Sequence, residues 1–449
     1  MSGLQRRLVR LDALAIALGS VIGVGVFVNT AVVLRGTPSF GVATALWVIV
    51  GLVCACGSVL YADLSTRVPE AGGPYAYVRV AFGRPVAFVY GWMNGGLAMP
   101  VRQASVCAAI GALIAEGFGG NPKLWASLVL IALLAIHLLG VRVGAMAQRV
   151  LTTGKLFTLT LVITLAGVLA ATGTSPAAAM PAVVPFATAV SAVWYTYLGW
   201  QDVVLLAEEL REPRRDLPFV LVGTVLLVIV LYTCVHLAVY FGLGGSAAAY
   251  STLPARAVAI GVLGAAGGGV LTALTLSSMV GGAAESMMVR PRIAMALGRD
   301  GLGPRFLAYI SPNGTPAGAM AFHSAIALAL VATGEFVELL PLLAFAQGFL
   351  GIFETASYFA IIKKRPELPV NRFHPWAPLL FIAANIALLV ITYLGDPFRA
   401  QLALGGIIVV GAIGYLVLRN QPGQAFGDAT PPPPMAGPGG EKDREGDAS

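Results

Sequence analysis

The sequence predicts an all-α, polytopic membrane protein with 12 transmembrane helices. Hydrophobic residues make up 57% of the 449 residues and charged residues only 11%, whereas about 25% of residues in soluble domains are charged. Apolar runs of about 18 residues or more, long enough to cross a bilayer, recur along the chain. They lie near residues 12–34, 41–61, 85–117, 124–141, 150–172, 187–207, 219–243, 257–289, 317–334, 338–362, 376–395 and 398–418.

The distribution of basic residues supports this number of spans. If both termini are cytoplasmic, 22 of the 28 Lys and Arg residues fall in cytoplasmic segments and four in outer segments, as the positive-inside rule requires. The other two, Arg102 and Lys155, fall within spans. We therefore expect a multi-pass protein of the cell (inner) membrane, surrounded by lipid. The net charge of +7 follows from this topology, and no basic stripe with interleaved aromatic residues indicates a nucleic-acid partner.

The first span carries glycines at its centre, in the segment Gly19–Phe27. In hydrocarbon, unpaired backbone groups are tolerated only where they are buried in protein or line a cavity. A helix break at Gly23 and Gly25 would therefore indicate a ligand site. The alternative is that these glycines only allow a neighbouring helix to approach closely.

The sixth span is a second candidate for a break. Its segment Val193–Asp202 contains aromatic residues, one glycine and polar groups where a lipid-facing helix would carry Leu and Val. Folds built from two inverted repeats break the corresponding span of each repeat. The organisation expected is a transmembrane domain over 1–418 followed by a disordered, Pro-rich cytoplasmic tail over 419–449. Within the domain, repeat one covers about 12–172, repeat two about 187–362, and spans eleven and twelve about 376–418.

Five motifs carry a family resemblance. They are Gly19–Phe27, Pro69–Tyr75, Tyr195–Trp200, Ala207–Pro218 and Arg292–Gly301. In order and spacing they resemble the amino acid-polyamine-organocation (APC) superfamily, and especially bacterial permeases related to the L-type amino acid transporters. The resemblance implies a LeuT-like core of 5+5 inverted repeats with discontinuous helices 1 and 6. It also implies secondary-active amino acid transport by alternating access.

One departure from the family concerns partner subunits. L-type light chains carry a cysteine in the loop after span three that bonds a second subunit, and the segment Gly117–Lys123 has none. We therefore expect no disulfide-linked heavy chain. All four cysteines lie in or beside apolar runs, where cysteine usually acts as a small hydrophobe, so no metal or other cofactor is expected.

The broken first span is expected to hold the carboxylate of an amino acid. Free N–H groups at a helix N-terminus form a positive pole worth about 0.3–1 kcal/mol to an anion. Gly23, Val24 and Gly25 would supply these groups, and Ser20 would add a hydroxyl. In the sixth span, carbonyls near Tyr195 and Leu198 would accept the α-ammonium group.

The resemblance assigns further roles in the sixth span. Tyr195 matches the aromatic gate over the substrate, Trp200 the bulky residue that shapes the side-chain pocket, and Gln201 a polar pocket residue. Gly199 belongs to the same motif. Outside such a motif, aromatic residues in a span more often pack or lie at the membrane interface.

Three charged residues within spans are costly and therefore candidates for function. The resemblance matches Lys155 to a span-five lysine that takes the place of a sodium ion, which implies sodium-independent exchange or proton coupling; the alternative is a lysine snorkelling to the interface. Glu285 lies at a similar depth, so we predict a Lys155–Glu285 ion pair. Arg102 lines the substrate path or pairs structurally.

Asp202 is either a reader of cationic side chains or a structural partner. The sequence favours neutral amino acids, aliphatic or small, as substrates, because no acidic residue is certain to face the pocket. The alternative within the class is a cationic amino acid or polyamine carrier that uses Asp202 or Glu285.

A membrane-embedded enzyme is a remote alternative, since the spans contain no HExxH, GxSxG or paired Asp motif. The exact substrate, the choice between exchange and proton coupling, and the oligomeric state stay open.

Overall fold

The computed structural model of the chain describes residues 4–416 other than 24, 173–183, 252, 335, 396–397, 399–400, 402–404, 407–408 and 414–415, and the side chains of that range other than 335–346. The tail over 419–449 and much of the twelfth predicted span lie outside the described residues. The described helices are α1 (Arg10–Val21), α2 (Gly25–Gly36), α3 (Phe40–Arg67), α4 (Pro74–Phe82), α5 (Arg84–Gly91), α6 (Met99–Phe118), α7 (Pro122–Leu138), α8 (Val141–Ala171), α9 (Phe186–Tyr197), α10 (Pro213–Leu243), α11 (Gly245–Tyr250), α12 (Pro254–Val289), α13 (Pro291–Arg299), α14 (Ala317–Thr333), α15 (Phe336–Lys364) and α16 (Trp376–Gly395).

Predicted spans one to eleven each correspond to helix in the described part of the chain. Seven helical segments are long and apolar enough to cross a membrane, and α7 and α14 are shorter apolar helices. Spans six and ten correspond to α9 with the 3₁₀ segment Trp200–Glu209 and to α15. Span three continues from α5 to α6 through a π-helical segment, Trp92–Ala98, which the sequence did not indicate.

The first and sixth spans are both broken, as predicted. In the first, α1 ends at Val21 and α2 begins at Gly25, with Ile22 in an extended conformation between them. In the sixth, α9 ends at Tyr197, Leu198 is extended and Gly199 has φ 124°. An L side chain rarely adopts such a φ, so glycine is required at position 199.

The helices pack closely around the breaks. α10 lies along both α3 and α8, α8 also lies along α12, and α2 lies along α9. α6 packs on α7, and α14 packs on both. The broken first span lies among these helices, since α1 packs against α8, α10 and α12. This arrangement places the unpaired backbone of the breaks inside protein, where it is tolerated.

Ion pairs concentrate at the end of the bundle that carries the N-terminus. Every ion pair formed within the described range lies in that half of the molecule. Those between helices include Arg10–Asp216 at 2.7 Å, Arg149–Asp12 at 2.6 Å, Arg299–Glu208 at 2.7 Å and the fully buried Arg292–Glu209 pair. They join the first, fifth, sixth, seventh and eighth spans at that end.

The N-terminal segment closes the same end through its backbone. Leu8 N–H donates to the carbonyl of Glu209 at 3.0 Å, and Arg211 N–H donates to the carbonyl of Leu8 at 3.1 Å. Leu8 is itself buried. The segment before the first span is therefore hydrogen-bonded to the segment after the sixth. These bonds join the two broken spans at the end of the bundle that carries the N-terminus.

We predict that Arg292→Gln lowers the unfolding temperature of the detergent-purified protein. Both partners of the Arg292–Glu209 pair are buried, and a charge left unpaired in the interior costs about 3–5 kcal/mol. The matched control is Arg215→Gln, which breaks the exposed Arg215–Glu212 pair and should change little. The measurement is intrinsic-fluorescence thermal unfolding, and equal shifts for the two variants would contradict the prediction.

Candidate functional site

A cavity of about 460 Å³ lies where the two breaks meet. The breaks, α6, α9 and α12 contribute to its wall. The predicted site residues that line it are Ser20, Gly23, Gly25, Arg102, Tyr195, Leu198 and Glu285. The structure therefore brings together residues from both broken spans with two charged residues from the third and eighth spans.

Two glycines allow the breaks to touch. A Cβ on Gly199 would lie 2.6 Å from the carbonyl oxygen of Ser20, and one on Gly25 would lie 3.0 Å from Oγ1 of Thr196. Asn29 reinforces this junction, since its Nδ2 donates to Thr196 Oγ1 at 2.7 Å and to the carbonyl of Ala192 at 3.1 Å. The relative position of the two broken spans is thus fixed by direct contact.

The carbonyl end of α1 is capped by neighbouring helices. The Gly19 carbonyl accepts from Nζ of Lys155 at 2.5 Å, and the Val21 carbonyl accepts from the Tyr232 hydroxyl at 2.7 Å. The Leu18 carbonyl accepts the N–H of Ile22 at 2.8 Å. A cation at this negative pole is favourable. The carbonyls of the break are therefore paired by α8, α10 and the chain itself.

The N–H end of α2 faces the cavity. Gly23 and Gly25 line it, and a Cβ on Gly23 would meet nothing closer than 3.9 Å. Because a helix N-terminus is a positive pole with free donors, this part of the wall can hold a carboxylate. Val24, predicted to share that role, lies outside the described residues.

Tyr195 and Arg102 form the wall on the side of α9 and α6. Tyr195 is 47% exposed, and the guanidinium carbon of Arg102 lies 5.8 Å from its ring centroid. Within the described part of the chain, the guanidinium of Arg102 forms no hydrogen bond or ion pair. The cavity therefore presents a cation whose charge no carboxylate neutralises directly.

Asp202 is a buried structural partner and does not line the cavity. Its carboxylate pairs with Arg290 at 2.7 Å and accepts a hydrogen bond from the Ser20 hydroxyl at 3.3 Å. Arg290 does line the cavity, although the sequence analysis counted it among the cytoplasmic residues. Arg290 directly follows the apolar run of the eighth span and precedes Pro291. This position could have indicated that Arg290 still belongs to the span.

The predicted Lys155–Glu285 ion pair is not formed, which corrects the sequence analysis. The ammonium is directed at the Gly19 carbonyl instead. Lys155 still packs against α12. A Cβ added to Gly281, one turn before Glu285, would lie only 2.8 Å from Cε of Lys155. Glu285 lines the cavity, and its Oε1 has no hydrogen-bond partner among the described groups.

The structure places Trp200 and Gln201 differently from the position expected in the pocket. Trp200 is buried behind the break, with its ring 5.2 Å from that of Tyr61 and 6.3 Å from that of Phe381. Oε1 of Gln201 accepts from the N–H of Gly199 at 3.2 Å and so supports the break. Sequence reasoning missed Thr196, because the resemblance assigns it no role although it lies within the Tyr195–Trp200 motif.

A second cavity of about 160 Å³ shares Ala109 and Met279 with the first. Phe27, Leu113 and Arg256 also line it, and these residues lie toward the end of the bundle opposite the N-terminus. The second cavity thus adjoins the first on the side away from the N-terminus, whereas the interhelical ion pairs lie on the other side. In the described residues, no group of three or more His, Cys, Asp or Glu is arranged to hold a metal ion.

Comparison with known proteins gives consistent matches. A family model described as amino acid permease matches residues 8–414. The b(0,+)-type amino acid transporter 1 of Mus musculus is 26% identical over 435 residues, which cover 93% of this chain and 88% of that protein. The serine/threonine exchanger SteT of Bacillus subtilis (strain 168) is 25% identical over 435 residues, covering 93% of this chain and 97% of that protein. The large neutral amino acids transporter small subunit 2 of Oryctolagus cuniculus is 26% identical, covering 92% and 80%.

The fold matches that of a solved structure. MhsT, crystallised in complex with L-phenylalanine, superposes with a TM-score of 0.58 over 88% of this chain and 99% of that chain. The sequence identity is 15%, so the likeness concerns the fold alone. Together with the two broken spans, it confirms the predicted LeuT-like architecture.

We predict that Ala109→Cys reacts with a membrane-impermeant maleimide about tenfold faster than native Cys107, because thiol reactivity depends on access. Ala109 lines both cavities, whereas Cys107, two positions earlier on α6, is fully buried. The background carries Cys56→Ser and Cys234→Ser, which remove the half-buried thiols. Labelling from the end opposite the N-terminus is measured by mass shift. Equal labelling of positions 107 and 109 would contradict the cavity.

Proposed function

The chain belongs to the amino acid permease family, and from this premise we propose that it carries neutral amino acids by sodium-independent exchange or proton-coupled uptake. The observation that carries the proposal is the junction of two broken spans, which presents a helix N-terminus to a cavity inside the bundle. Transporters with inverted repeats bind substrate at such junctions and alternate access to it. The cavity volume suits a free amino acid.

The two breaks supply hydrogen-bond donors for the α-carboxylate and acceptors for the α-ammonium group of an amino acid. Gly23 and Gly25, with Val24, hold the α-carboxylate at the N–H end of α2. The carbonyls at the end of α9, near Tyr195 and Leu198, accept from the α-ammonium group. Tyr195 covers the bound molecule as the gate. Three residues that do not line the cavity stabilise the conformation of the break in the sixth span and so orient these carbonyls. They are Gly199, Trp200 and Gln201.

Sodium independence rests on Lys155. The ammonium occupies the negative pole of the broken first span, where it donates to the Gly19 carbonyl and packs against Gly281 of α12. A fixed cation there supplies the charge that a bound sodium ion would otherwise supply. The site then needs no sodium to be complete.

Arg102 favours neutral over cationic substrates. Its guanidinium, which forms no ion pair with a described residue, lines the cavity and repels a cationic side chain, which is a repulsive element of the kind that sets specificity. Two of the relatives carry names that specify serine/threonine and large neutral amino acids.

The second candidate function is a cationic amino acid or polyamine carrier. It is supported by Glu285, which lines the same cavity and whose Oε1 has no hydrogen-bond partner among the described groups.

We further propose that the chain sits in the cell membrane with both termini cytoplasmic and works without a covalently attached subunit. The concentration of ion pairs and basic residues at the N-terminal end fits the cytoplasmic side. One relative is named a small subunit. In this chain, however, all four cysteines are free and lie within helices, so none is placed in an outer loop to bond a partner.

The test is counterflow in liposomes that contain the purified chain. Uptake of labelled alanine, leucine and arginine is measured with and without internal alanine, in sodium and in choline buffers. We expect internal alanine to stimulate uptake of alanine or leucine, with no requirement for sodium. Uptake of arginine alone would favour the cationic candidate, and uptake of none of the three would reject the proposal.

We predict that Lys155→Gln lowers counterflow about tenfold or more, because a hydrogen bond to a charged group contributes about 1.5–3 kcal/mol. The matched control is Thr160→Ala on the same helix. The Thr160 hydroxyl donates to the carbonyl of Leu156 at an exposed position. The initial rate of exchange is measured at equal protein incorporation. Full activity of Lys155→Gln would contradict the role of this residue.

We predict that Arg102→Gln raises the ratio of arginine to alanine uptake about tenfold, which corresponds to a relieved repulsion of about 1.4 kcal/mol. Lys123→Gln, at an exposed site far from the cavity, is the control and should leave the ratio unchanged. Competition of each amino acid against labelled alanine provides the ratio. An unchanged ratio in Arg102→Gln would show that this charge does not select the side chain.

A further inference from the structure

Glu354 is a buried carboxyl group outside the site described above. It lies on α15, and the hydroxyls of Tyr61 on α3 and Tyr90 on α5 donate hydrogen bonds to its two oxygens. Asn94, in the π-helical segment, donates to the Tyr90 hydroxyl at 3.0 Å. All four side chains are buried. We call these four residues the Glu354 cluster.

No cation neutralises Glu354. Over the described part of the chain, no Lys, Arg or His lies within ion-pair distance of its carboxyl group, as the ion pairs there involve other acids. The titratable groups that face it are Tyr61, Tyr90 and, further away, Asp202, which is already paired with Arg290. Tyr77 of α4 lies behind Tyr61, with ring centroids 6.1 Å apart.

A carboxylate without a counter-ion in a membrane interior is expensive, and protonation removes that charge. The surrounding hydroxyls suit both forms. A tyrosine hydroxyl donates to an ionised carboxylate, and its oxygen accepts from a protonated one. The Glu354 cluster can therefore take up and release a proton with little change in its own geometry.

The cluster is in contact with the sixth span. The ring of Tyr61 meets that of Trp200 edge to face at 5.2 Å, and Trp200 directly follows the break at Gly199. The cluster also joins three spans, since Tyr61, Tyr90 and Glu354 come from α3, α5 and α15. A movement of the segment after the break must displace Trp200 against Tyr61. It thereby alters one of the two donors to Glu354.

We propose that Glu354 is a proton-binding site whose occupancy is linked to the position of the sixth span, so that amino acid uptake is coupled to a proton. The proton comes from water on one side of the membrane, binds the carboxylate and leaves on the other side, with no other bond made or broken. This inference rests on the proposed function and assigns its coupling ion. It makes Glu354, rather than Lys155, the residue that exchanges the proton.

The test compares two transport measurements in the same liposomes. Counterflow of alanine at equal pH measures the proposed function, and accumulation of alanine driven by an inward acid gradient measures proton coupling. For one proton per amino acid, a gradient of one pH unit supports about tenfold accumulation. We expect Glu354→Gln to retain counterflow and to lose this accumulation. The control, Glu116→Gln at an exposed end of α6, should retain both.

A second readout does not depend on transport. The fluorescence of Trp200 is followed against pH in a variant whose other tryptophans are replaced by Phe. We expect a titration step that disappears in Glu354→Gln. If Glu354→Gln does not fold, Tyr61→Phe and Tyr90→Phe each remove one donor. Each should then shift the pH at which acid-driven accumulation is half-maximal.

Three results would overturn the assignment. These are acid-driven accumulation that persists in Glu354→Gln, wild-type protein that exchanges alanine but shows no response to the gradient, and unshifted pH profiles in both tyrosine variants. Failure of counterflow in the wild type would instead reject the proposed function. The two failures are therefore distinguishable.

Discussion

The structure depends on how the protein pairs the backbone groups released where the first span breaks. Inside a bilayer these groups have no water to bind, so the break can exist only if neighbouring helices supply partners. Lys155 and Tyr232 supply them for the carbonyls of Gly19 and Val21. With the carbonyls paired, the N–H groups at the start of α2 are left for a ligand. The proposed ligand site is therefore the part of the broken helix whose N–H groups the neighbouring helices do not pair.

The first consequence is that the two breaks must be close to each other. Gly199 lies against Ser20 because no side chain separates them, and Asn29 ties α2 to the end of α9. The cavity wall then contains the opposite poles of two half-helices, which is what an α-carboxylate and an α-ammonium group require. In the proposed function, α6 and α12 contribute to the selection of the side chain, because Arg102 and Glu285 line the cavity there.

Sequence reasoning located the breaks but not the pairing of charges. Glycine spacing and hydropathy are local signals, so the spans and both breaks could be predicted from the chain. The sequence also singled out Lys155 as a charge within a span, but it did not identify the group that the ammonium contacts. A backbone carbonyl at the break competes for the ammonium with Glu285, and only the three-dimensional arrangement shows which one it contacts. Trp200 illustrates the same limit, since helix rotation decides which side faces the cavity, whereas Arg290 was missed because the end of the eighth span was placed before it.

The ion pairs at the N-terminal end set a requirement on alternating access. For the cavity to open toward that end, the Arg292–Glu209 pair is expected to separate, because it joins the sixth span to the segment that follows the eighth. Separating a buried pair is costly unless water or new partners replace the lost contacts. Ligand binding can drive the change only through a difference in affinity between the two states. In the proposed mechanism, closing of Tyr195 over a bound amino acid supplies part of that difference, since Tyr195 lines the cavity and is half exposed.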